Sequence, residues 1–267
     1  MIRDITLGQY YQADSVIHRM DPRVKLIATF VYVISLFVVD NLIGYGICFL
    51  FLALAIGLSK VPVKFMVRGM KAILFLLIIT VIFNLFLTPG DTLISFWMIT
   101  ITKQGVKQAF TMAIRLSMLI IGSSVMTLTT TPNNLTDGLE SVMKPLKKVK
   151  VPVHEIAMMM SIALRFIPIL LEETDKIMKA QIARGADFES GNIFKKAKSM
   201  VPLLVPLFIS AFRRANDLAM AMEARCYQGG EGRTKMKPLV YKKRDVIAYI
   251  VVIVFFAACI LIGRILF

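Results

Sequence analysis

The feature that most constrains the fold is a 33-residue stretch, Leu26 to Leu58, that is apolar apart from the pair Asp40-Asn41. One helix needs about 20 apolar residues to cross a bilayer, so this stretch is too long for a single span. The mean hydropathy of +0.71 is also above what a water-soluble globule carries. We therefore predict an integral membrane protein whose first two transmembrane helices turn at Asp40-Asn41.

Three further apolar stretches extend this pattern. A third span is predicted from Met70 to Leu87, where Pro89 and Gly90 follow and break the helix. A fourth runs from Val106 to Thr130, and the last runs from Val246 to Phe267 behind a charged cluster. The predicted fold class is an all-α integral membrane protein with about five transmembrane helices, accompanied by long amphipathic cytoplasmic helices.

The distribution of charge predicts the topology. The chain carries a net charge of +15, and the segment 132–244 alone holds 20 Lys and Arg against 11 Asp and Glu. Cytoplasmic loops are enriched in Lys and Arg, so we predict that this segment and the N-terminus are cytoplasmic and that Phe267 is external. The predicted domains are a membrane domain at 1–131 with four spans, a cytoplasmic domain at 132–244 and a final span at 245–267. No removable signal peptide is expected.

Two apolar stretches inside the cytoplasmic segment leave the number of spans open. Residues 200–212 are too few to cross a bilayer and contain Pro202 and Pro206. Residues 155–171 contain Arg165 and Pro168 and run into a charged stretch. We favour amphipathic helices at the membrane surface for both, with additional spans as the alternative.

The same segment contains a repeat with a 41-residue offset. Its first copy is Ile177-x-x-Ala180-x-x-Ala183-Arg184-Gly185, and its second is Leu218-x-x-Ala221-x-x-Ala224-Arg225-Cys226. Each copy would place small residues and a terminal Arg on one helical face, and Arg is a forked donor suited to carboxylates and carbonyls. Two near-equivalent ends indicate a partner with two near-equivalent receptor sites. The alternative is that each Arg merely complements the helix dipole.

A polar motif precedes the first span: Asp14-Ser15-x2-His18-x2-Asp21-Pro22-Arg23-x-Lys25. Asp21 is predicted to cap the first helix, with Pro22 in its first position. His18 is interpreted as a polar residue at the membrane interface. Arg115 is the only basic residue deep inside a predicted span, so it either makes a polar contact to a partner or a substrate path, or extends to the interface.

This motif, together with Thr129-Thr130-Thr131-Pro132 and the two Ala-Arg ends, resembles the T component of energy-coupling factor transporters. The resemblance covers nearly the whole chain, from Gly8 to the last helix. It implies a bacterial plasma-membrane scaffold whose crossed coupling helices contact two ABC-type ATP-binding subunits and whose membrane part holds a substrate-binding S component. By motif, Ala183, Arg184 and Gly185 would form one coupling end, and Ala224, Arg225 and Cys226 the other. Cys226 departs from the expected Gly, so Gly229-Gly230 are considered as an alternative end of the second helix.

Several classes of function lack their motifs. No phosphate-binding loop of the type Gly-x4-Gly-Lys-Ser/Thr occurs, so a transporter role would need separate ATPases. No catalytic residues, cofactor site or metal site is predicted, and no nucleic-acid partner is expected. A self-sufficient secondary transporter or a membrane-bound enzyme of unrecognised mechanism remains the alternative, although the spans show no duplication.

Overall fold

The computed structural model describes residues 10–96, 99–186, 188, 193–230, 232, 234, 236 and 238–265. Positions Gly8 and Phe267, which the sequence analysis used, lie outside the described residues. The elements in chain order are α1 Pro22–Val38, α2 Leu42–Ser59, α3 Val63–Leu87, β1 Thr92–Phe96, β2 Ile99–Thr102, α4 Lys103–Thr129, α5 Pro132–Met143, a 3-10 helix Lys144–Val149, α6 Val153–Ala183, α7 Ile193–Glu223 and α8 Lys243–Ile265.

The predicted all-α membrane class is confirmed. In the described part of the chain, α2, α4, α6 and α8 are long and apolar enough to cross a bilayer, and Ile73–Leu87 is a shorter apolar helix. The first two helices meet at the predicted turn, because α1 ends at Val38 and α2 begins at Leu42. By length and composition α6 also qualifies as a span, so its placement at the membrane surface stays a prediction.

One element was not predicted from the sequence. Strands β1 and β2 form an antiparallel hairpin between α3 and α4, with Ile94 paired to Ile101. This stretch is rich in β-branched Thr and Ile, which favour extended backbone. The hairpin ends at Thr102, which is also the N-cap of α4. The Thr102 Oγ1 accepts a hydrogen bond from the Gly105 N–H at 3.0 Å. Helix α4 therefore begins at Lys103, three residues before the predicted span.

The contacts divide the chain into two compact units, one at 140–238 and one that combines the residues from 8–139 with 239–267. In the second unit, α1 packs on α4 and α8, α2 packs on the same two helices, and α3 packs on α4. The aromatic rings of Phe51 and Phe255 stack there at 4.2 Å between centroids. Gly122 is required at its position, since an added Cβ would lie 2.4 Å from the Tyr32 ring. The predicted domain boundaries at 131 and 244 stay predictions.

The polar motif before α1 joins three helix ends. As predicted, Asp21 caps α1 and Pro22 opens it, with the Asp21 carboxylate accepting from the Arg23 N–H at 2.9 Å. The Asp21 N–H donates to Asp245 at the start of α8 at 2.9 Å. The Lys25 ammonium donates to the Thr129 carbonyl at the end of α4 at 2.8 Å. We call Asp21, Arg23, Lys25, Thr129 and Asp245 the polar clamp.

Charge and burial support this clamp. The guanidinium of Arg23 forms an ion pair with Asp21 at 2.8 Å and lies 3.7 Å from the centroid of the Tyr241 ring. Burial raises the pKa of Asp21, but the hydrogen bonds from Arg23 outweigh it and hold that pKa below its ordinary value. Asp21 is therefore ionised at neutral pH, as a cap at a helix N-terminus requires.

His18 has a local structural role. Its Nε2 lies 3.0 Å from the Tyr11 carbonyl oxygen, which only accepts, so Nε2 carries the proton. Its Nδ1 then accepts from the Ser15 hydroxyl at 2.7 Å. Burial lowers the pKa of His18, which is consistent with this neutral tautomer. His18 thus fixes the segment that leads into α1.

Arg115 makes an intrachain contact that neither expectation anticipated. Its Nε donates to the Tyr45 hydroxyl at 2.9 Å, and its Nη2 donates to the Asp40 carboxylate at 2.8 Å. The arginine on α4 therefore holds the turn between α1 and α2. An intramembrane charge usually has a partner, and here the partner belongs to the same chain.

Candidate functional site

The first predicted coupling end is a helix terminus with a specific backbone geometry. Helix α6 ends at Ala183, and Gly185 follows Arg184 with φ of +88°. The Gly185 N–H donates to the Ile182 carbonyl at 2.9 Å, and the Ala186 N–H donates to the Gln181 carbonyl at 2.9 Å. These two bonds define a Schellman motif, which satisfies carbonyls that the helix end would leave open.

The second end has the same geometry, with Cys226 in the place of glycine. The Cys226 N–H donates to the Glu223 carbonyl at 2.8 Å, and the Tyr227 N–H donates to the Met222 carbonyl at 3.0 Å. Cys226 itself has φ of +52°, in the left-handed region. The substitution of Cys for Gly therefore costs conformational energy, roughly 1–2 kcal/mol, but does not change the cap. The sequence could not show that the cysteine would adopt this conformation.

The alternative stop at Gly229-Gly230 was wrong. Helix α7 has already ended when the chain reaches them, and Gly230 instead packs against the ring of His154 near the start of α6. A Cβ at Gly230 would lie 2.2 Å from that ring. The His154 Nδ1 is 3.0 Å from the Glu140 carboxylate. The two glycines therefore lie in the segment after the second end, where the chain passes close to the start of α6.

The repeat extends back along both helices from their ends. Both α6 and α7 contain 31 residues. They pack against each other, and a stripe of half-buried residues recurs every three to four positions on each. The stripe on α7 stands 41 residues after the stripe on α6. Its members are Leu170, Glu173, Ile177 and Gln181 in α6, and Ala211, Arg214, Leu218 and Met222 in α7.

An ion pair joins equivalent positions of the repeat. The Arg214 guanidinium lies 2.5 Å from the Glu173 carboxylate, and these residues are 41 apart in sequence. Contact between equivalent positions is what an approximate two-fold axis between the two helices would produce. We call this contact the crossing. The residues at the crossing were not identified from the sequence, although the 41-residue offset pointed to them.

The charges near the crossing agree with this symmetry. Three equivalent positions within three residues of it are charged in both copies, and at each the signs are opposite: Glu172 and Arg213, Glu173 and Arg214, Lys176 and Asp217. Equivalent residues face each other near a two-fold axis, so equal charges would repel there. The like-charged equivalents are Arg184 and Arg225, eleven residues beyond the crossing. We call the segments from the crossing to Arg184 and to Arg225 the arms. Eleven helical residues span roughly 16 Å, so both arms have the same length.

The predicted site residues are exposed. Ala183, Arg184 and Gly185 are all accessible at the first end. Ala224, Arg225 and Cys226 are equally accessible at the second. Neither arginine forms an ion pair with another residue that the structure describes. Each end thus presents an exposed guanidinium fork, without an ion pair among the described residues, beside small side chains that allow close approach of another backbone.

Both helices also carry exposed apolar side chains before the crossing. On α7 these recur from Met200 to Phe212, and the most exposed are Phe208 and Phe212, at 61% and 68%. On α6 the exposed Met159 and Met160 occupy the corresponding region. Apolar faces of this extent contact lipid or another protein. Among the residues that the structure describes, no group of His, Cys, Asp or Glu is arranged to hold a metal ion.

Comparisons with known proteins identify the family of the chain. Residues 13–236 match the family model described as "CbiQ: Cobalt transport protein". The chain is 52% identical over its full length to the energy-coupling factor transporter transmembrane protein EcfT of Ruminiclostridium cellulolyticum, with all of that relative covered. It is 54% identical to the EcfT of Clostridium kluyveri, over 93% of each chain, and 46% identical to that of Bacillus subtilis, over 92% of this chain and 93% of the relative.

The family match spans most of the chain and includes the polar motif, the crossing and both arginine ends. The relatives are named as transmembrane proteins, and four described helices of this chain are long and apolar enough to cross a membrane. The chain therefore belongs to the family of energy-coupling factor transporter transmembrane proteins, EcfT.

Proposed function

We propose that this chain is the scaffold and coupling subunit of an ECF-type ABC importer, which transmits the motion of two ATP-binding subunits to a substrate-binding S component. The observation that carries the proposal is the pair of equivalent helix ends. Arg184 and Arg225 are exposed and identically capped, and each lies eleven residues from the crossing. Such a pair fits two receptor grooves that are themselves related by an approximate two-fold axis.

Each end is suited to dock as a rigid strut. The Schellman motif fixes the backbone on both sides of the arginine, so little conformational entropy is lost when the guanidinium binds. Ala183 and Ala224 precede the two arginines and leave room for the wall of a groove. Closure of the ATP-binding subunits would then move both arms together, because the crossing joins them.

The exposed apolar faces of α6 and α7 supply the second half of the proposal. They would contact an S component and the cytoplasmic surface of the membrane. The positive charge of residues 132–244 predicts that this segment lies on the cytoplasmic side. Methionines such as Met159 and Met160 adapt to different partners. The transported compound, a vitamin or a transition metal, would be selected by the S component.

Charge reversal at each end tests the proposal. Arg184→Glu and Arg225→Glu place a carboxylate where a donor fork is needed, and breaking a buried charged contact costs about 3–5 kcal/mol. We expect normal membrane levels, loss of uptake for each variant, and loss of the ATP-binding subunits on purification of the double variant. Lys179→Glu is the matched control, because Lys179 is exposed on α6 and lies before the cap. Wild-type uptake and ATPase binding in both single variants would contradict the proposal.

A further inference from the structure

A cavity of about 440 Å³ lies between α1, α2, α4 and α8. This volume is within the range of small-molecule sites, about 300–1,000 Å³. Its wall is almost entirely apolar, so water would be a poor occupant and a hydrocarbon chain a good one. Representative wall residues, one or two from each helix, are Ala28, Phe51, Ala55, Val125, Ala248 and Val252.

Two cations lie at one end of this cavity. Lys25 and Arg244 both line it. The Lys25 ammonium donates to the carbonyls of Thr129 at 2.8 Å and His18 at 3.3 Å. An ammonium has three N–H groups, so the third has no acceptor among the residues that the structure describes. The Arg244 Nε is buried and has no hydrogen-bond partner among the residues that the structure describes. A buried donor without an acceptor costs about 1–3 kcal/mol, so an acceptor is expected here.

The neighbouring carboxylates do not supply that acceptor. The two oxygens of Asp245 accept from the N–H groups of Asp21 and Lys242, at 2.9 and 2.8 Å. The oxygens of Asp21 accept from Arg23. The described hydrogen bonds of both carboxylates in the polar clamp thus go to other donors, whereas the Arg244 Nε has no acceptor among the described residues. The cavity therefore has the chemistry of a site for an amphipathic anion, with its charged group at this end.

We propose that this cavity binds an anionic phospholipid, with the phosphate at Lys25 and Arg244 and part of an acyl chain between the four helices. The charged end lies where α1 and α8 begin and where α2 and α4 end. The predicted topology puts all four of these ends at the cytoplasmic face, and the cytoplasmic leaflet holds the anionic lipids that basic pockets between spans bind. The inference rests on this topology and on membrane insertion, and not on the role of the arginine ends.

Native mass spectrometry of the full chain, delipidated in detergent, tests the site. The probes are dioleoyl phosphatidylglycerol and dioleoyl phosphatidylcholine, titrated separately. A cation near a lipid phosphate contributes a factor of about five in affinity, so we expect the anionic lipid to bind at least fivefold more tightly. Arg244→Gln should remove about fivefold of that preference, and Arg244→Lys should keep most of it. Equal binding of the two lipids to the wild-type chain would overturn the proposal.

Lys243→Gln is the matched control. Lys243 is the adjacent residue, carries the same charge and is exposed, but does not line the cavity. It should change the affinity for the anionic lipid less than twofold. Equal losses in Arg244→Gln and Lys243→Gln would mean that the lipid responds to surface charge alone, and would also overturn the proposal.

A cavity-filling variant separates a lipid site from a phosphate site. Ala248→Phe should abolish tight binding of the anionic lipid while both cations stay in place; Ala28→Leu is the smaller change if the first variant is not monodisperse. Glycerol 3-phosphate should not displace the lipid at equal concentration, because it has no acyl chain. Unchanged lipid binding in the filled variant, or displacement by glycerol 3-phosphate, would contradict the acyl-chain part of the proposal.

Discussion

Two arginines from each compact unit differ in what they contact. In the unit that contains α1 to α4 and α8, Arg23 is held by Asp21 and the Leu239 carbonyl, and Arg115 is held by Asp40 and Tyr45. In the unit at 140–238, Arg184 and Arg225 are exposed at their helix ends and form no ion pair with another described residue. The first kind stabilises the fold of this chain. The second kind is exposed, as the proposed coupling role requires, and residue type alone does not reveal this difference.

The largest effect on stability should come from a structural arginine that loses its partner. Asp21→Ala removes the cap of α1 and leaves the guanidinium of Arg23 buried without its carboxylate, which costs about 3–5 kcal/mol. We expect a markedly lower midpoint of thermal unfolding in detergent. Asp14→Ala is the control, since the ion pair between Asp14 and Arg19 is about two-thirds exposed and contributes little. Equal midpoints for the two variants would remove the distinction between the units.

Reversing one charge at the crossing should have a smaller effect on stability and a larger one on function. The pair of Glu173 and Arg214 is about one-third exposed, so its loss costs about 1 kcal/mol or less. Arg214→Glu, however, puts like charges at the two-fold axis and should displace both arms. We expect reduced uptake that the exchanged pair Glu173→Arg with Arg214→Glu restores. If the exchanged pair is as inactive as the single variant, the crossing does not set the position of the ends.

Cross-linking checks the register of the crossing directly. Ile169 and Ser210 are equivalent positions one turn before the ion pair. Cysteines at both, in a chain without its native cysteines, should form a disulfide in wild-type register. The Arg214→Glu background should lower the yield of that disulfide, and the exchanged pair should raise it again.

The smallest effects should come from the two caps, and they should have opposite signs. Gly185→Ala forces a Cβ into the left-handed region and should destabilise the end of α6 by about 1 kcal/mol. Cys226→Gly relieves the same strain at the end of α7, partly offset by the greater freedom of glycine in the unfolded chain, for a gain of under about 1 kcal/mol. Amide hydrogen exchange of residues in the last turns would resolve both changes. If both substitutions changed the stability of their helix ends in the same direction, the two caps would not be equivalent.

The sequence predicted the features that follow from local rules. Apolar length predicted the helices α1 to α4 and α8 and the turn at Asp40-Asn41, and the Asp-Pro pair predicted the start of α1. Apolar length did not predict which helices are long and apolar enough to cross a bilayer, because α6 qualifies whereas α1 does not and α3 contributes only a shorter apolar stretch. The 41-residue repeat predicted both helix ends. The hairpin between α3 and α4 was missed because the rule for apolar length does not distinguish short strands from the loops around them. The partners of Arg115 and Arg214 were missed because each contact joins separate helices, and only the packing of the fold brings those residues together.

The ends of α6 and α7 illustrate the limit for a single site. Gly185 predicted its own cap, because glycine adopts positive φ at no steric cost. Cys226 did not, since a cysteine in that conformation is uncommon, and only the hydrogen bonds to Glu223 and Met222 identify it as the equivalent residue. The charge pattern at the crossing could have been read from the sequence once the repeat was extended backwards from the arginines.

In the proposed function, ATP-binding subunits cover the exposed arginine ends, and labelling of the native cysteine next to Arg225 tests this most directly. Cys226 is exposed, whereas Cys48 and Cys259 are buried. In inside-out vesicles that contain this chain without the ATP-binding subunits, a membrane-impermeant maleimide should label Cys226; in intact spheroplasts it should not. Co-expression of the ATP-binding subunits should block the labelling of Cys226 and leave a control cysteine at the exposed Lys148 reactive. Labelling of Cys226 that is undiminished in the assembled complex, or labelling from outside the cell, would contradict the account.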